Sequence, residues 1–278
     1  MSKNRLLIIN VLILLVGLFW ITNANGTTKA DPWPRWQKHD PNSLIVVDHV
    51  DWDLILTRYV STNPPSGINR FQYSKVNEKD RLVLKGYLEM MQGVHVSNLN
   101  RSEQKAFWIN LYNAKAVDLI LDHYPVKSIR NIKFPETFSL DGPLDVKLLE
   151  IEGQKLSLND IKNRILRPIW KDNRIHYAIN SASMGGPNLQ RMAYSIDNIE
   201  FTLEKAARDY INHTRGVSFS SYWLMVSSIY FWFQEDFGGS EENVINHLQK
   251  YLAPKKLDKL NSLRNKVIAH QYDWDLNE

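Results

Sequence analysis

The stretch His176-Tyr177-Ala178-Ile179-Asn180-Ser181-Ala182-Ser183-Met184-Gly185-Gly186-Pro187-Asn188-Leu189 decides how the chain is read. A short apolar run carrying an imidazole breaks into small polar residues, two glycines and a proline. Length and alternation predict a strand over 175–180, with His176, Ala178 and Asn180 on one face and Tyr177 and Ile179 on the other. After it, Ser181, Ser183, Gly185 and Gly186 form a loop whose backbone N–H groups can approach a ligand closely. An imidazole, an amide and hydroxyls at a strand end suit polar chemistry. The same residues also fit a buried strand with one hydrogen-bonded histidine and a tight Gly-Gly-Pro turn.

On either side the pattern is helical. A capped helix is expected from Ser157 to Arg167, ended or kinked by Pro168, and another over 197–213 with Ile199, Leu203, Ala206 and Tyr210 on one face. Upstream, periodicity predicts a helix over 80–91 and a stronger one from Asn100 to about His123, stopping before Pro125. Asn100 and Glu103 have the spacing of a capping box. Residues 145–156 read as a hairpin turning at Glu152-Gly153. Downstream come a strand over 222–226, a short helix ending at Gly238-Gly239, a helix over 241–252 and a last strand over 266–272. Strands and helices mix without regular βαβ alternation, which predicts one α+β domain, helix-rich with a small sheet. The Pro/Trp/Asp-rich residues 27–44 read as an extended N-terminal arm, and Asn63-Pro64-Pro65-Ser66-Gly67 as a loop. We divide the chain into a leader at 1–24, an arm and lead-in at 25–74, and a globular domain at 75–278.

The leader rests on Lys3 and Arg5, the apolar run Leu6–Ile21, and the polar exit Thr22-Asn23-Ala24-Asn25-Gly26. That layout predicts a secretory signal, cleaved near Ala24, or else a retained anchor; either way the rest of the chain is expected outside the cytoplasm, periplasmic or secreted. Membrane contact is expected only through residues 6–21, if they are retained.

The formal charge is +4 and falls to +2 without Lys3 and Arg5, because residues 1–24 contain no Asp or Glu. With no basic block elsewhere, a nucleic-acid partner is not expected. The chain has no cysteine, which excludes disulfides, thiol nucleophiles and thiolate metal sites. Its nine Trp, 12 Tyr and 10 Phe must supply the core instead. No His pair has H-x-x-x-H spacing, and no phosphate loop or G-x-S-x-G elbow occurs, so neither a metal nor a cofactor is expected. Asp236-Phe237-Gly238 reads as a helix end.

A second candidate site lies on the helix from Asn100, where Asn110 and Asn113 share a face of an otherwise apolar stretch. Buried amides need definite partners. These two either clamp neighbouring backbone, orient the 176–189 segment, or hold a ligand. Trp108, Tyr112, Val117 and Leu121 read as core.

Phe107-Trp108-Ile109-Asn110-Leu111-Tyr112-Asn113-Ala114, Leu158-Asn159-Asp160-Ile161, Ile165-Leu166-Arg167-Pro168, Arg174-Ile175-His176-Tyr177-Ala178-Ile179-Asn180 and Tyr272-Asp273-Trp274-Asp275-Leu276-Asn277 together resemble the domain-of-unknown-function 547 family, from about residue 75 onward. The chain is similar to exported bacterial-type members, although these often carry Cys at the positions of Ser181 and Gly186. The resemblance implies no established activity, and a thiol-dependent role cannot transfer to a Cys-free chain. Two functions follow as expectations. One is a non-catalytic exported domain that binds a small molecule, peptide or envelope partner through Asn110, Asn113, His176, Asn180, Gly185 and Gly186. The other is a hydrolase or acyl transferase in which Ser181 or Ser183 attacks, His176 is the base, and the Gly185 and Gly186 amides stabilise an oxyanion.

Overall fold

A computed structural model describes residues 28–62, 66–134, 142–220, 223–263 and 267–278. The leader at 1–24, part of the 63–67 loop and Lys266 lie outside the described residues.

The helix Arg101–His123 is the axis of the fold, buried on all sides from Glu103 to Ala114. A surface helix is apolar on one stripe only, whereas one apolar all round must be central. Asn100 caps it, its side chain accepting from the Glu103 N–H. Glu103 does not complete the expected capping box. Its Oε1 accepts instead from the Val47 N–H at 2.8 Å. Arg101 and Gln104, in the same turn, bind the carbonyls of Gln37 and Lys38. The first turn of the axis therefore ties down the N-terminal arm, which is irregular except for a 3-10 turn at Pro34–Gln37.

Helix Glu78–Gln92 packs on the axis, and helix Val50–Tyr59 packs on Glu78–Gln92 in turn. Helix Val50–Tyr59 was not foreseen from sequence. The hairpin is Leu149–Ile151 paired with Gln154–Leu156, and Glu152 and Gly153 both take positive φ, as a two-residue primed turn requires. Ser157 and Asp160 form a reciprocal capping box on the helix that follows. That helix widens to a π-helical stretch at Ile161–Leu166 and runs through Pro168 to Trp170. Pro168 thus ends nothing: it occupies the second position of a new helical turn, where a missing N–H costs little.

The strand expected over 175–180 is not there. Asn173–Tyr177 form a 3-10 helix started by Asp172, whose side chain accepts from the Arg174 N–H. The chain from Ala178 to Tyr194 is then irregular yet largely buried. Periodicity cannot separate a buried strand from a buried turn over so few residues, and the choice was settled by which groups satisfy the backbone. Asn113 donates from Nδ2 to the Ala178 carbonyl at 2.9 Å and accepts from the Asn180 N–H at 2.8 Å. Asn110 does the same for Tyr194, at 2.7 and 2.9 Å. Two side-chain amides on one helix face do the work of a neighbouring strand.

The sheet proper has three strands. Val217–Phe219 pairs antiparallel with Trp223–Ser227, which pairs parallel with Val267–Gln271. Helix Ile199–Asn212 packs near this sheet, with Glu241–Gln249 and Pro254–Ser262 beyond. The last two follow Ser240 as an N-cap and Pro254 as a first helical residue. Two apolar clusters result. The larger surrounds the axis, and the smaller centres on Tyr177, Tyr210, Tyr230 and Leu248. The molecule is α+β and helix-rich.

Candidate functional site

At the seam of the two clusters lies a cavity of about 350 Å³. Tyr112 and Ile179 reach it from the axis side, and Ile229, Phe233 and Tyr272 from the sheet side. Trp232, Tyr272 and Trp274 form one aromatic wall, with ring centroids 4.7 to 5.8 Å apart. His176 and Ser181 complete the lining, with Thr28 from the arm and Asn159 and Asn163 from the π-helical region. Arg130 sits over Trp274, and Lys162 over Phe233.

His176 is almost wholly buried, its ring stacked on Phe233 at 4.6 Å. Its Nε2 lies 2.6 Å from Oδ2 of Asp236. Arg167, equally buried, grips the same carboxylate through Nε and Nη2 and donates also to the Thr28 carbonyl. Burial lowers the His176 pKa to about 4, against the pull of Asp236. Burial would raise Asp236, but hydrogen bonds from His176 and Arg167 prevail and bring it to about 2. Arg167 and Asp236 are thus the charged pair, and a neutral imidazole donates Nε2–H to the carboxylate. Its Nδ1 is buried and has no partner among the described residues.

Asp236 was missed in the sequence because Asp236-Phe237-Gly238 reads as a helix end, as it is; Gly238 takes φ 100° there. Nothing local marks its role, because its partners His176 and Arg167 lie far away in the chain. Tyr112, read as core, also belongs to the cavity wall.

The other sequence candidates fall in different places. Ser181 is half-buried in the wall, its Oγ 2.9 Å from the Tyr112 hydroxyl, and makes no hydrogen bond to His176. Ser183 is fully buried, its Oγ 2.7 Å from the Tyr272 hydroxyl. The Gly185 N–H is taken by the Asp273 carbonyl and the Gly186 N–H by the Ser183 carbonyl, so neither faces a ligand. Gly185 is required for another reason. A Cβ there would stand 2.5 Å from the Asp273 nitrogen. Asn110, Asn113 and Asn180 lie outside the cavity wall, and their amides are spent on backbone. Asn180 accepts from the Ala182 N–H and donates to the Pro187 carbonyl, shaping the loop beneath the wall.

Residues 96–211 match a family model described as "Protein of unknown function, DUF547". Over these residues the chain is similar to this family. The DUF547 segment holds the axis helix, both clamping asparagines, His176, Ser181 and Arg167. Asp236, Trp232, Tyr272 and Trp274 lie beyond it, so the match covers most of the cavity lining and its imidazole but neither the aromatic wall nor the imidazole's acid. No curated protein and no solved structure matches the chain. Among the described residues no group of His, Asp or Glu is arranged to hold a metal, and no helix is long and apolar enough to cross a membrane.

Proposed function

We propose that this chain is a binding domain for a small organic molecule, working outside the cytoplasm, and that the ligand occupies the cavity walled by His176, Ser181 and the Trp232–Tyr272–Trp274 rings. The cavity carries this reading. Its volume of about 350 Å³ suits a small molecule rather than a folded partner, and aromatic walls with a few fixed polar groups are the usual make-up of such a site. The flat rings offer stacking surfaces, while the Tyr112–Ser181 hydroxyl pair and the Asn159 and Asn163 amides offer hydrogen bonds. Arg167 and Asp236 serve to fix the His176 ring in the wall.

The acyl-transfer reading keeps one supporting observation, the Asp236 partner that orients His176. Against it stand the Tyr112 bond to Ser181 and the committed glycine amides, which leave neither a paired nucleophile nor an oxyanion site. Fluorophosphonate treatment of the purified domain, followed by peptide mass mapping, separates the two. Binding predicts no adduct on Ser181 or Ser183; an adduct on Ser181 would install catalysis in its place.

The location outside the cytoplasm rests on Lys3, Arg5 and the Leu6–Ile21 run. Residues 1–40 fused to a reporter active only after export should give signal, and a silent reporter at normal expression would remove this part of the proposal. Mass measurement of the mature N-terminus distinguishes cleavage near Ala24 from a retained anchor.

A further inference from the structure

A second cavity, of about 390 Å³, lies beside the last strand, and Tyr272 belongs to the walls of both. Its floor contains Arg215, whose guanidinium is mostly buried, lies 5.4 Å over the Tyr210 ring and pairs with no carboxylate among the described residues. Nη1 donates to the Met184 carbonyl at 3.1 Å and Nη2 to the Asn188 Oδ1 at 2.6 Å, while Nε is sealed without a partner. A guanidinium has five N–H groups, so two donors remain, one on each terminal nitrogen. Neutral acceptors would serve a neutral amide at this position equally well. A buried charge ordinarily has a counter-charge, and burial already pulls the Arg215 pKa down.

The rest of the wall tells what could neutralise it. His213 is committed on both nitrogens, to the Ser66 carbonyl and the Arg215 N–H. The side chains of Thr214, Ser218 and Gln271 face the same space and make no hydrogen bond among the described residues. The carboxylate in this wall belongs to Asp273, which is exposed, accepts from the Asp275 N–H, and forms no ion pair with Arg215.

We infer that this second cavity is an oxyanion site, in which Arg215 binds a phosphate or carboxylate group assisted by the hydroxyls of Thr214 and Ser218. A guanidinium and hydroxyls lining one cavity are the donors such anions select, and the Asp273 carboxylate in the same wall is not paired with the guanidinium. The cation that closes the 184–188 loop would thereby be neutralised by the ligand rather than by the protein.

Isothermal titration of the intact mature chain with sodium phosphate and, separately, sodium acetate, in a low-salt Tris-chloride buffer, tests this. Saturable binding of either anion is expected. Phosphate alone assigns a phosphoryl ligand, and acetate as well assigns a carboxylate. Arg215→Gln should weaken binding by roughly tenfold or more, as loss of a charge-assisted contact does. Because that variant also loosens the 184–188 loop, Ser218→Asp provides an independent arm. A carboxylate placed in the wall should satisfy Arg215, raising the thermal midpoint and abolishing anion binding. No saturable heat with either anion, undiminished binding by Arg215→Gln, or a lowered midpoint in Ser218→Asp would each overturn the site.

Discussion

Asn113 shows how much one side chain can determine. Its amide gives the buried Ala178–Asn180 backbone both partners that a sheet would otherwise supply. Removing it leaves a buried carbonyl and a buried N–H unsatisfied, so Asn113→Ala should lower stability by roughly 1–3 kcal/mol. Urea denaturation followed by tryptophan fluorescence measures this, and an unchanged midpoint would show that the clamp contributes nothing. Asp236 is the stronger case. With Asp236→Asn, Arg167, whose side chain is 1% exposed, becomes an uncompensated buried charge. Loss of one partner from such a pair costs about 3–5 kcal/mol. The sequence announced the asparagines, because two amides on an apolar helix face need partners. It did not announce Asp236, since a pairing across 60 residues leaves no local trace.

Elements were legible where caps and turns spoke for themselves. Asn100 and Ser157 mark their helix starts, and Glu152-Gly153 marks its hairpin. The reading failed at 175–180, where apolar residues are buried in a 3-10 turn and not a strand, and at Val50–Tyr59, whose pattern lacks a capping side chain. At Gly185 and Gly86 the same residue type plays opposite parts. A Cβ on Gly185 would collide with Asp273 backbone, whereas one on Gly86, exposed in the helix Glu78–Gln92, meets nothing within 4 Å. Gly86→Ala should therefore stabilise by up to about 1 kcal/mol through helix propensity. Gly185→Ala should destabilise by displacing the 272–277 segment from the 183–185 loop. Thermal midpoints of the two variants should move in opposite directions; a shared direction would contradict the packing described.

Across the whole molecule, burial sets the response to acid. His49, His176 and His247 each have a pKa lowered by burial from 6.5 to about 4. In the unfolded chain these imidazoles take up protons near pH 6.5, before the folded state can. Their contribution is complete above that pH and declines as pH falls toward 4. Asp172 and Asp236 have folded pKa values of about 2 against an ordinary 3.8, so a further loss sets in below pH 3.8. Burial raises Glu103, which works the other way, but it is one group against three. The thermal midpoint should thus fall between pH 7.5 and 4.5, and a flat profile would mean that the histidines are not buried as described.

The central claim, a ligand cavity between the two apolar clusters, has its most direct test in nuclear magnetic resonance of the ¹⁵N-tryptophan-labelled protein. Anilinonaphthalene sulfonate is a suitable probe, an aromatic anion matched to the ring walls and to the cations Arg130 and Lys162. Added at neutral pH, it should shift the indole resonances of Trp232 and Trp274 and leave those of Trp52 and Trp108, buried away from the cavity, in place. Ser181→Tyr, which fills the cavity, should abolish those shifts. Unmoved Trp232 and Trp274 resonances at saturating probe, or shifts that persist in Ser181→Tyr, would contradict the account.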